Sequence, residues 1–246
     1  MSTKPSKVAI ITGASRGIGR EIALRLAADG FAVAVGYAGG QAKANETVAE
    51  IEATGGKALA IQGDVGKAED VDKLFSTTVE IYGRVDAVVS NAGVMDLAPM
   101  KTSSLGALDR MMNTNVRGTF LVLAKAADVL GEGGRIVALS TSVIAKATPG
   151  YGPYIASKAA VEGLVHVLAN ELRGRGITVN AVAPGPVATD LFMRGKTEEQ
   201  VAALAKLSPL ERLGQPIDIA NAVSFLLGKD GAWVNSQVVR VNGGFA

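Results

Sequence analysis

The sequence predicts one α/β domain built on a doubly wound, mostly parallel sheet of seven strands with helices on both faces. Short β-branched segments alternate with longer helical patterns along nearly all of the 246 residues. Most strand segments are apolar throughout rather than alternating, which is typical of a parallel sheet covered on both faces. Because no Pro/Ser-rich linker or repeat divides the chain, we expect residues 1–246 to form a single domain.

The expected strands are continuous apolar runs at residues 8–12, 31–35, 57–62, 85–90, 135–139, 177–182 and 237–241. The expected helices have a helical spacing of apolar residues and lie at 18–29, 42–54, 67–82, 104–130 and 153–174. Residues 184–216 contain four prolines and form the one irregular stretch. Since so long an insertion in a compact domain is usually functional, we expect a substrate lid near residues 186–207.

The composition excludes several classes of function. Because the chain has no cysteine, disulfides, thiolate zinc sites, iron–sulfur clusters and a cysteine nucleophile are excluded. The single histidine, His166, argues against a histidine-based metal centre, and we predict no metal site. A net charge of +2 and 4% aromatic residues argue against nucleic-acid binding. The sequence shows neither a secretory signal nor 18 uninterrupted apolar residues, so we expect a cytoplasmic protein without a membrane span.

A glycine-rich segment, Thr12-Gly13-Ala14-Ser15-Arg16-Gly17-Ile18-Gly19, joins the first strand to the first helix. Glycines allow a tight turn and a close approach of backbone N–H groups, and a helix N-terminus favours negative charge. The spacing G-x-x-x-G-x-G differs from the general fingerprint G-x-G-x-x-G, but its place between strand and helix is the same. We therefore predict that this loop binds the pyrophosphate of a dinucleotide in a Rossmann-type domain.

The same segment also fits G-x-S-x-G, the nucleophile elbow of α/β-hydrolases. Such an enzyme needs a histidine base, for which only His166 is available. It also needs an oxyanion-hole loop from an earlier strand, and no strand is predicted before residue 8. The hydrolase is therefore the weaker of the two interpretations.

The end of the second strand indicates which dinucleotide is bound. NAD enzymes usually place an acidic residue about 20 residues after the glycine loop, where it holds the ribose hydroxyls. Residues 33–40 contain no carboxylate, and Arg16 within the loop is available to a 2′-phosphate. We predict NADP(H) as the cofactor and expect a carboxylate introduced at Gly36 to shift the preference toward NADH.

Tyr154 and Lys158 are four residues apart and share one face of a predicted helix. An isolated tyrosine has a pKa of about 10 and is a poor acid or base near neutrality. A neighbouring cation lowers the phenol pKa and makes the group useful for proton transfer. The pair alone is a weak signal, because Tyr and Lys at this spacing are common on solvated helix faces.

Further motifs occur in a fixed order with this pair, and they are Asp64-Val65, Asn91-Ala92-Gly93, Asn115, Ser142, Pro184-Gly185 and Val241-Asn242-Gly243-Gly244. With this set, residues 7–246 resemble the short-chain dehydrogenase/reductase family, and within it the 3-oxoacyl-[acyl-carrier-protein] reductase-like branch. The resemblance implies an NADP(H)-dependent oxidoreductase that transfers hydride between nicotinamide and a ketone or secondary alcohol. It also implies a homotetramer that pairs through the helices near 104–130 and 153–174.

The resemblance implies roles for individual residues. Tyr154 would donate the proton to the carbonyl oxygen, and Lys158 would hold the nicotinamide ribose and lower the Tyr154 pKa. Ser142 would hold the substrate oxygen, and Asn115 would anchor a water for proton relay. The residues implied in cofactor binding are Gly13, Ser15, Arg16, Gly17, Ile18, Gly19, Tyr37, Asp64, Val65, Asn91, Ala92, Gly93, Tyr154, Lys158, Pro184, Gly185, Val187 and Thr189.

One spacing departs from the family pattern. In many relatives the serine precedes the tyrosine by 13 residues, whereas Ser142 precedes Tyr154 by 12. A one-residue deletion in the intervening loop explains the difference. Ser140 and Thr141 remain alternatives for the residue that holds the substrate oxygen.

The substrate is not identified by the resemblance. Residues expected to line its pocket lie at the carboxyl ends of strands and in the lid, and they are Met95, Ile144, Tyr151, Leu191 and Phe192. Because this lining offers few partners for hydroxyl groups, we expect aryl or alkyl ketones and 3-oxoacyl compounds to react faster than sugars.

Two alternatives remain open at this point. One is a 3-oxoacyl-carrier-protein reductase of fatty-acid synthesis, in which Lys125, Arg173 and Arg175 would meet an acidic acyl carrier protein. The other is a non-catalytic dinucleotide-binding module, which would have no use for a proton donor at Tyr154.

Overall fold

The computed structural model of the chain describes residues 7–246, which form a seven-stranded sheet in the order β3-β2-β1-β4-β5-β6-β7. Its strands are β1 (Lys7–Thr12), β2 (Phe31–Tyr37), β3 (Lys57–Gln62), β4 (Ala87–Ser90), β5 (Arg135–Leu139), β6 (Thr178–Pro184) and β7 (Val238–Val241). Every neighbouring pair is parallel, so the predicted doubly wound fold is confirmed. The strand order reverses between β1 and β4, and ligands bind beyond the carboxyl ends of strands at such a reversal.

The described helices are α1 (Gly17–Ala28), α2 (Gln41–Ala53), α3 (Ala68–Tyr82), α4 (Leu105–Met111), α5 (Gly118–Val129), α6 (Gly152–Glu171), α7 (Asp190–Met193), α8 (Glu198–Ala205) and α9 (Pro216–Leu227). The helix predicted over residues 104–130 is divided by a π-helical turn over Met112–Arg117. Such turns often occur at functional sites. This turn contains Asn115.

Two features of the lid and the region after it were not predicted. The irregular stretch contains the short helices α7 and α8, and α9 follows it directly. The start of α9 was readable from the sequence, because Pro216 occupies a favoured first position and Gln215 and Asp218 form a reciprocal cap. Its buried residues Ile219 and Val223 also have helical spacing.

The core consists of two main apolar layers, one on each face of the sheet. On one face α1 and α9 pack together, with Ile22 and Val223 both fully buried. On the other face α3, α5 and α6 contribute Phe75, Val122 and Val165. All seven residues of β2 are buried, which explains its continuous apolar run. Within residues 7–246 no helix has the length and apolar character needed to cross a bilayer.

Candidate active site

A cavity of about 840 Å³ lies at the carboxyl ends of β1, β4, β5 and β6, where the strand order reverses. Its volume lies within the range of about 300–1,000 Å³ that is usual for ligand pockets. Every residue that the sequence assigns to cofactor binding lines this cavity, from Gly13 in the glycine loop to Thr189 before α7. Segments far apart in sequence therefore converge on one site.

The glycine loop is fixed to the end of β4 by hydrogen bonds. The side-chain amide of Asn91 donates to the backbone oxygens of Thr12 and Gly13, at 2.9 and 3.0 Å. The backbone N–H groups of Asn91 and Ala92 each donate to the Thr12 hydroxyl at 3.0 Å. These bonds hold the first turn of the loop against the neighbouring strand, so its shape is set before any ligand binds.

Two glycines of the loop have no room for a side chain. Gly13 has φ +65°, and a Cβ there would lie 2.9 Å from the Ala92 Cα. A Cβ at Gly19 would overlap the Asn91 side-chain amide and the Gly13 carbonyl oxygen. The backbone can therefore approach both β4 and a ligand closely only because these residues are glycine.

The corner between β2 and α2 forms the edge of the cavity near Arg16. Tyr37 ends β2 and is 6% exposed, and residues 38–40 are exposed and line the cavity. Within residues 7–246 the Arg16 guanidinium has no hydrogen bond or ion pair, and the residue is exposed. The corner thus presents a free cation and no carboxylate from residues 33–40.

Asp64 and Val65, which follow β3, line the same end of the cavity. The Asp64 carboxylate accepts a hydrogen bond from the Gly66 N–H at 2.9 Å, and the Asp64 N–H donates to Asp70 at 2.9 Å. Two hydrogen bonds thus stabilise the turn after β3.

At the other end of the cavity, Tyr154 and Thr141 both line the wall, and their side chains are neighbours. Burial raises the pKa of Tyr154 to about 12; the neighbouring Thr141 hydroxyl acts to lower it, and the nearby phenol of Tyr151 acts to raise it further. The phenol therefore keeps its proton throughout the neutral pH range.

Lys158 lies on the same helix but makes a different contact. Its ammonium donates to the backbone oxygen of Leu139 at 2.7 Å, and burial lowers the Lys158 pKa to about 8. The side chain is 5% exposed. The sequence predicts that Lys158 lowers the Tyr154 pKa, but in this structure the Tyr154 pKa is raised and the Lys158 ammonium bonds to Leu139. The desolvation of the phenol is the largest effect.

The structure does not bring Ser142 to the cavity. Its hydroxyl is 1% exposed, donates to the Ala183 oxygen at 2.7 Å and accepts from the Asn242 amide at 3.0 Å. Ser140 lines the cavity, but its hydroxyl donates to Glu162 at 2.6 Å. Thr141 lines the cavity, lies close enough to Tyr154 to lower its pKa, and precedes Tyr154 by 13 residues. The family spacing therefore falls on a threonine, and no deletion is needed to explain it.

Asn115 is fully buried and does not line the cavity. Its carbonyl oxygen accepts from the Val94 N–H at 2.8 Å, and its amide donates to the Val94 oxygen at 2.9 Å and to Ser157 at 3.0 Å. The Ser157 hydroxyl in turn donates to the Tyr154 backbone oxygen at 2.8 Å. The side chain of Asn115 thus joins the loop after β4 to α6. It does not reach the cavity, where the predicted role of holding a water would require it to lie.

The substrate end of the cavity is apolar and aromatic. Of the residues predicted for it, Met95, Tyr151, Leu191 and Phe192 line the cavity, whereas Ile144 does not. The prediction missed several lining residues, which are Val143, Thr148, Leu204, Leu207 and Phe245. Phe245 comes from the last residues of the chain, and no local pattern in the sequence indicates that they return to the site.

Lysine side chains cover two of these aromatic rings. The Lys146 ammonium lies 5.0 Å from the centre of the Phe245 ring, and the Lys196 ammonium lies 4.5 Å from that of Phe192. Both are cation–π contacts. Both rings line the cavity.

Comparison with known proteins gives a consistent result. Residues 13–246 match the family model described as enoyl-(acyl carrier protein) reductase. A short-chain type dehydrogenase/reductase of Picea abies is 47% identical over 97% of this chain and 92% of its own length. A probable tetrahydroxynaphthalene reductase of Zymoseptoria tritici is 40% identical over 96% of this chain and 93% of its own length.

A solved structure extends the comparison to the fold. The short-chain dehydrogenase of Burkholderia cenocepacia in complex with NADP has 36% identity, and the match covers 99% of both chains with a TM-score of 0.92. This chain therefore belongs to the short-chain dehydrogenase/reductase family.

Proposed function

We propose that the chain is an NADP(H)-dependent carbonyl reductase in which Tyr154 donates a proton to the substrate oxygen. The observation that carries the proposal is that Tyr154 and Thr141 line the same cavity as the glycine loop, with Thr141 close enough to the phenol to lower its pKa against the effect of burial. Two neighbouring hydroxyls can both bind a carbonyl oxygen, and the loop would hold a dinucleotide in the same cavity. A protein that only binds dinucleotides needs no such pair.

The residues of the glycine-loop end fit NADP(H). The loop backbone and the N-terminus of α1 suit a pyrophosphate, and the unpaired Arg16 suits a 2′-phosphate. The complex of the Burkholderia relative with NADP supports this choice. When bound, NADPH supplies the hydride for the reduction.

In this proposal the chain supplies the proton and orients the carbonyl group. The Tyr154 and Thr141 hydroxyls donate hydrogen bonds to the carbonyl oxygen, and the Tyr154 proton passes to that oxygen as it becomes an alcohol. Because the Tyr154 pKa is raised to about 12, the phenol carries the proton that the reductive direction requires. Lys158 lines the cavity on the same helix as Tyr154, and burial lowers its pKa to about 8. It is the cation that would hold a ribose hydroxyl of the bound cofactor.

The lining of the substrate end favours aryl ketones. Tyr151, Phe192 and Phe245 present aromatic surface, while Leu191 and Leu207 add aliphatic surface. Apolar burial contributes about 25 cal/mol per Å², and flat rings gain further from aromatic neighbours. The name of the Zymoseptoria relative, a probable reductase of a hydroxylated naphthalene, supports a substrate of this kind.

The test is NADPH consumption with aryl ketones, alkyl ketones, 3-oxoacyl thioesters and aldoses at equal concentration. We expect the aryl ketones to give the highest kcat/KM and the aldoses the lowest. Faster reduction of an aldose than of any ketone would contradict the assignment of substrate class. No turnover with any carbonyl compound, together with tight NADPH binding, would favour the non-catalytic module instead.

The structure gives less support to a protein-borne substrate. Lys125 forms an ion pair with Asp72 at 2.7 Å, and the Arg175 guanidinium donates to the Ala127 oxygen at 2.7 Å. Two of the three cations that we expected to meet an acidic carrier are thus engaged within the chain. A small-molecule ketone is the substrate that we propose.

We further propose that the chain assembles as a homotetramer through α4, α5 and α6. Leu105, Phe120 and Val167 on these helices are each more than half exposed, and apolar side chains of this size favour an interface. Light scattering at micromolar concentration should give the mass of four chains. A Phe120→Glu variant should lower that mass, and a wild-type monomer would contradict the proposal.

A further inference from the structure

Lys43 is a cation that lines the cavity and has no role in the site as described so far. It lies in the first turn of α2, beside the exposed corner formed by residues 38–40. Among the described residues that line the cavity, the cations are Arg16, Lys43 and Lys158. Lys158 belongs to the Tyr154 end, where it bonds to Leu139. Arg16 and Lys43 are therefore the two cations left to act at the corner where β2 ends.

Within residues 7–246 the one charged partner of Lys43 is Asp190, the first residue of α7. The Lys43 ammonium lies 3.8 Å from the Asp190 carboxylate, which is longer than a hydrogen bond. The two side chains are 54% and 74% exposed, so the pair is well solvated. Exposed pairs of this kind contribute little, and a better anion can displace the carboxylate.

The start of α7 lies next to the glycine loop. A Cβ on Gly17 would lie 3.6 Å from the Thr189 side chain, so the residue before Asp190 is packed against the loop. The Lys43–Asp190 pair therefore joins the β2–α2 corner to the beginning of the lid at the edge of the cofactor end.

We infer that Lys43 is a second cation that recognises the 2′-phosphate of NADPH, and that Asp190 competes with this phosphate for it. The inference rests on the proposed function, since it assumes that the adenosine ribose lies at the β2–α2 corner. A 2′-phosphate carries up to two negative charges and three acceptor oxygens, so it is a stronger partner for an ammonium than a solvated carboxylate. NADH has no 2′-phosphate and leaves the Lys43–Asp190 pair intact. Lys43 therefore contributes to the choice of cofactor.

Equilibrium binding of NADPH, NADH, 2′-AMP and 5′-AMP to Lys43→Ala and Asp190→Asn tests the inference without turnover. Lys43→Ala should lower the affinity for NADPH and 2′-AMP by roughly tenfold and leave the affinities for NADH and 5′-AMP within twofold of the wild type. Asp190→Asn should have the opposite effect and increase the affinity for NADPH and 2′-AMP by about twofold to fivefold. Lys43→Arg, which keeps the charge, should retain the preference for NADPH.

Lys73→Ala is the matched control, because Lys73 is an exposed lysine on α3 that does not line the cavity. It changes the net charge equally and should change none of the four affinities. Equal weakening of NADPH and NADH by both Lys43→Ala and Asp190→Asn would overturn the inference and show that the pair only tethers the lid. Unchanged NADPH affinity in Lys43→Ala would also overturn it. In either case tight NADPH binding by the wild type would leave the proposed function standing, whereas its absence would contradict that function separately.

Discussion

The two ends of the cavity are built in different ways. At the glycine-loop end, the shape comes from the backbone, with Asn91 fixing the loop and Gly13 and Gly19 leaving no space for side chains. At the Tyr154 end, the shape comes from side chains that arrive from separate segments, including Phe192 of α7 and Phe245 near the C-terminus. The first end follows from one short motif, whereas the second exists only once the whole chain has folded.

The two ends also differ in how they treat charge. The glycine-loop end keeps the Arg16 and Lys43 cations in contact with solvent, where their charge is screened. The Tyr154 end buries an ammonium and a phenol, so that the Lys158 pKa falls to about 8 and the Tyr154 pKa rises to about 12. Solvated cations suit the binding of a charged cofactor, whereas buried ionisable groups suit proton transfer. Separate substitutions should therefore impair the two functions independently.

The largest expected effect is that of Tyr154→Phe. It removes the proton donor but leaves the glycine loop intact, so turnover should fall by roughly 10²–10⁴ while the Kd for NADPH stays within twofold. Steady-state kinetics and fluorescence titration on one preparation measure both quantities. Tyr82→Phe is the matched control, because it deletes the same hydroxyl from a tyrosine that is 7% exposed and does not line the cavity. A joint loss of binding and turnover in Tyr154→Phe would show that the two ends are not separable.

A second pair of variants distinguishes Thr141 from Ser142. Thr141→Ala should lower kcat by roughly 10²–10³, the usual effect of removing one hydrogen-bond donor to a reacting oxygen, and Thr141→Ser should restore most of it. Ser142→Ala should instead lower the free energy of unfolding by about 1 kcal/mol, because its hydroxyl bonds to Ala183 inside the chain. Denaturant titration and kinetics separate these results. A greater loss of kcat in Ser142→Ala than in Thr141→Ala would reverse the assignment.

The contrast between the two ends also decides how far the sequence predicts the structure. The parallel sheet, the glycine loop and the convergence of Asn91 with it follow from strand periodicity and motif order, because parallel strands end at a common edge. The choice between Thr141 and Ser142 depends on which way each side chain turns after β5. That direction is set by Ala183 and Asn242, two residues remote in sequence.

Other parts of the site could not be predicted from the local sequence either, because they also depend on contacts between residues remote in sequence. Asn115 lies in a π-helical turn, and nothing in its neighbours signals that its side chain bonds to Val94 rather than facing the cavity. Phe245 reaches the cavity only through the turn that follows β7. By contrast, α9 was predictable, since Pro216 and the apolar spacing after it are ordinary signals of a helix start.

A third prediction concerns a substitution at the glycine-loop end that should change the preference for NADPH over NADH. Gly36 is the wrong place for a carboxylate, because a Cβ there would lie 3.1 Å from the Ile11 oxygen inside the sheet. A Cβ at Gly39 meets nothing within 4 Å, and the residue lines the cavity. Gly39→Asp should lower the affinity for NADPH by roughly tenfold, because its carboxylate repels the 2′-phosphate. The affinity for NADH should change by less. Gly39→Asn is the neutral control, and equal effects of the two substitutions would contradict a role for charge at this corner.

The smallest expected effect concerns stability at the Tyr154 end. With its pKa lowered to about 8 by burial, Lys158 binds fewer protons in the folded than in the unfolded chain between pH 8 and pH 10.5. The stability of the wild type should therefore rise as the pH increases through this window. Lys158→Met removes the buried charge and should raise the free energy of unfolding at pH 7 by about 1 kcal/mol or more, although the bond to Leu139 is lost.

Urea titrations at pH 7, 8.5 and 10 measure this difference. The advantage of Lys158→Met should shrink as the pH rises, because the wild-type side chain becomes neutral. A variant that is less stable than the wild type at pH 7, with a gap independent of pH, would show that burial of Lys158 costs the fold nothing.

The most direct test of the whole account follows the hydride itself. An aryl ketone is reduced by the wild type with NADPH that carries deuterium at both C4 positions, and the product is examined by NMR. Hydride transfer from NADPH to the carbonyl carbon, with Tyr154 protonating the oxygen, predicts an alcohol with one deuterium on the carbinol carbon. Deuterium on a carbon beside an intact carbonyl, or no deuterium in the product, would contradict the account.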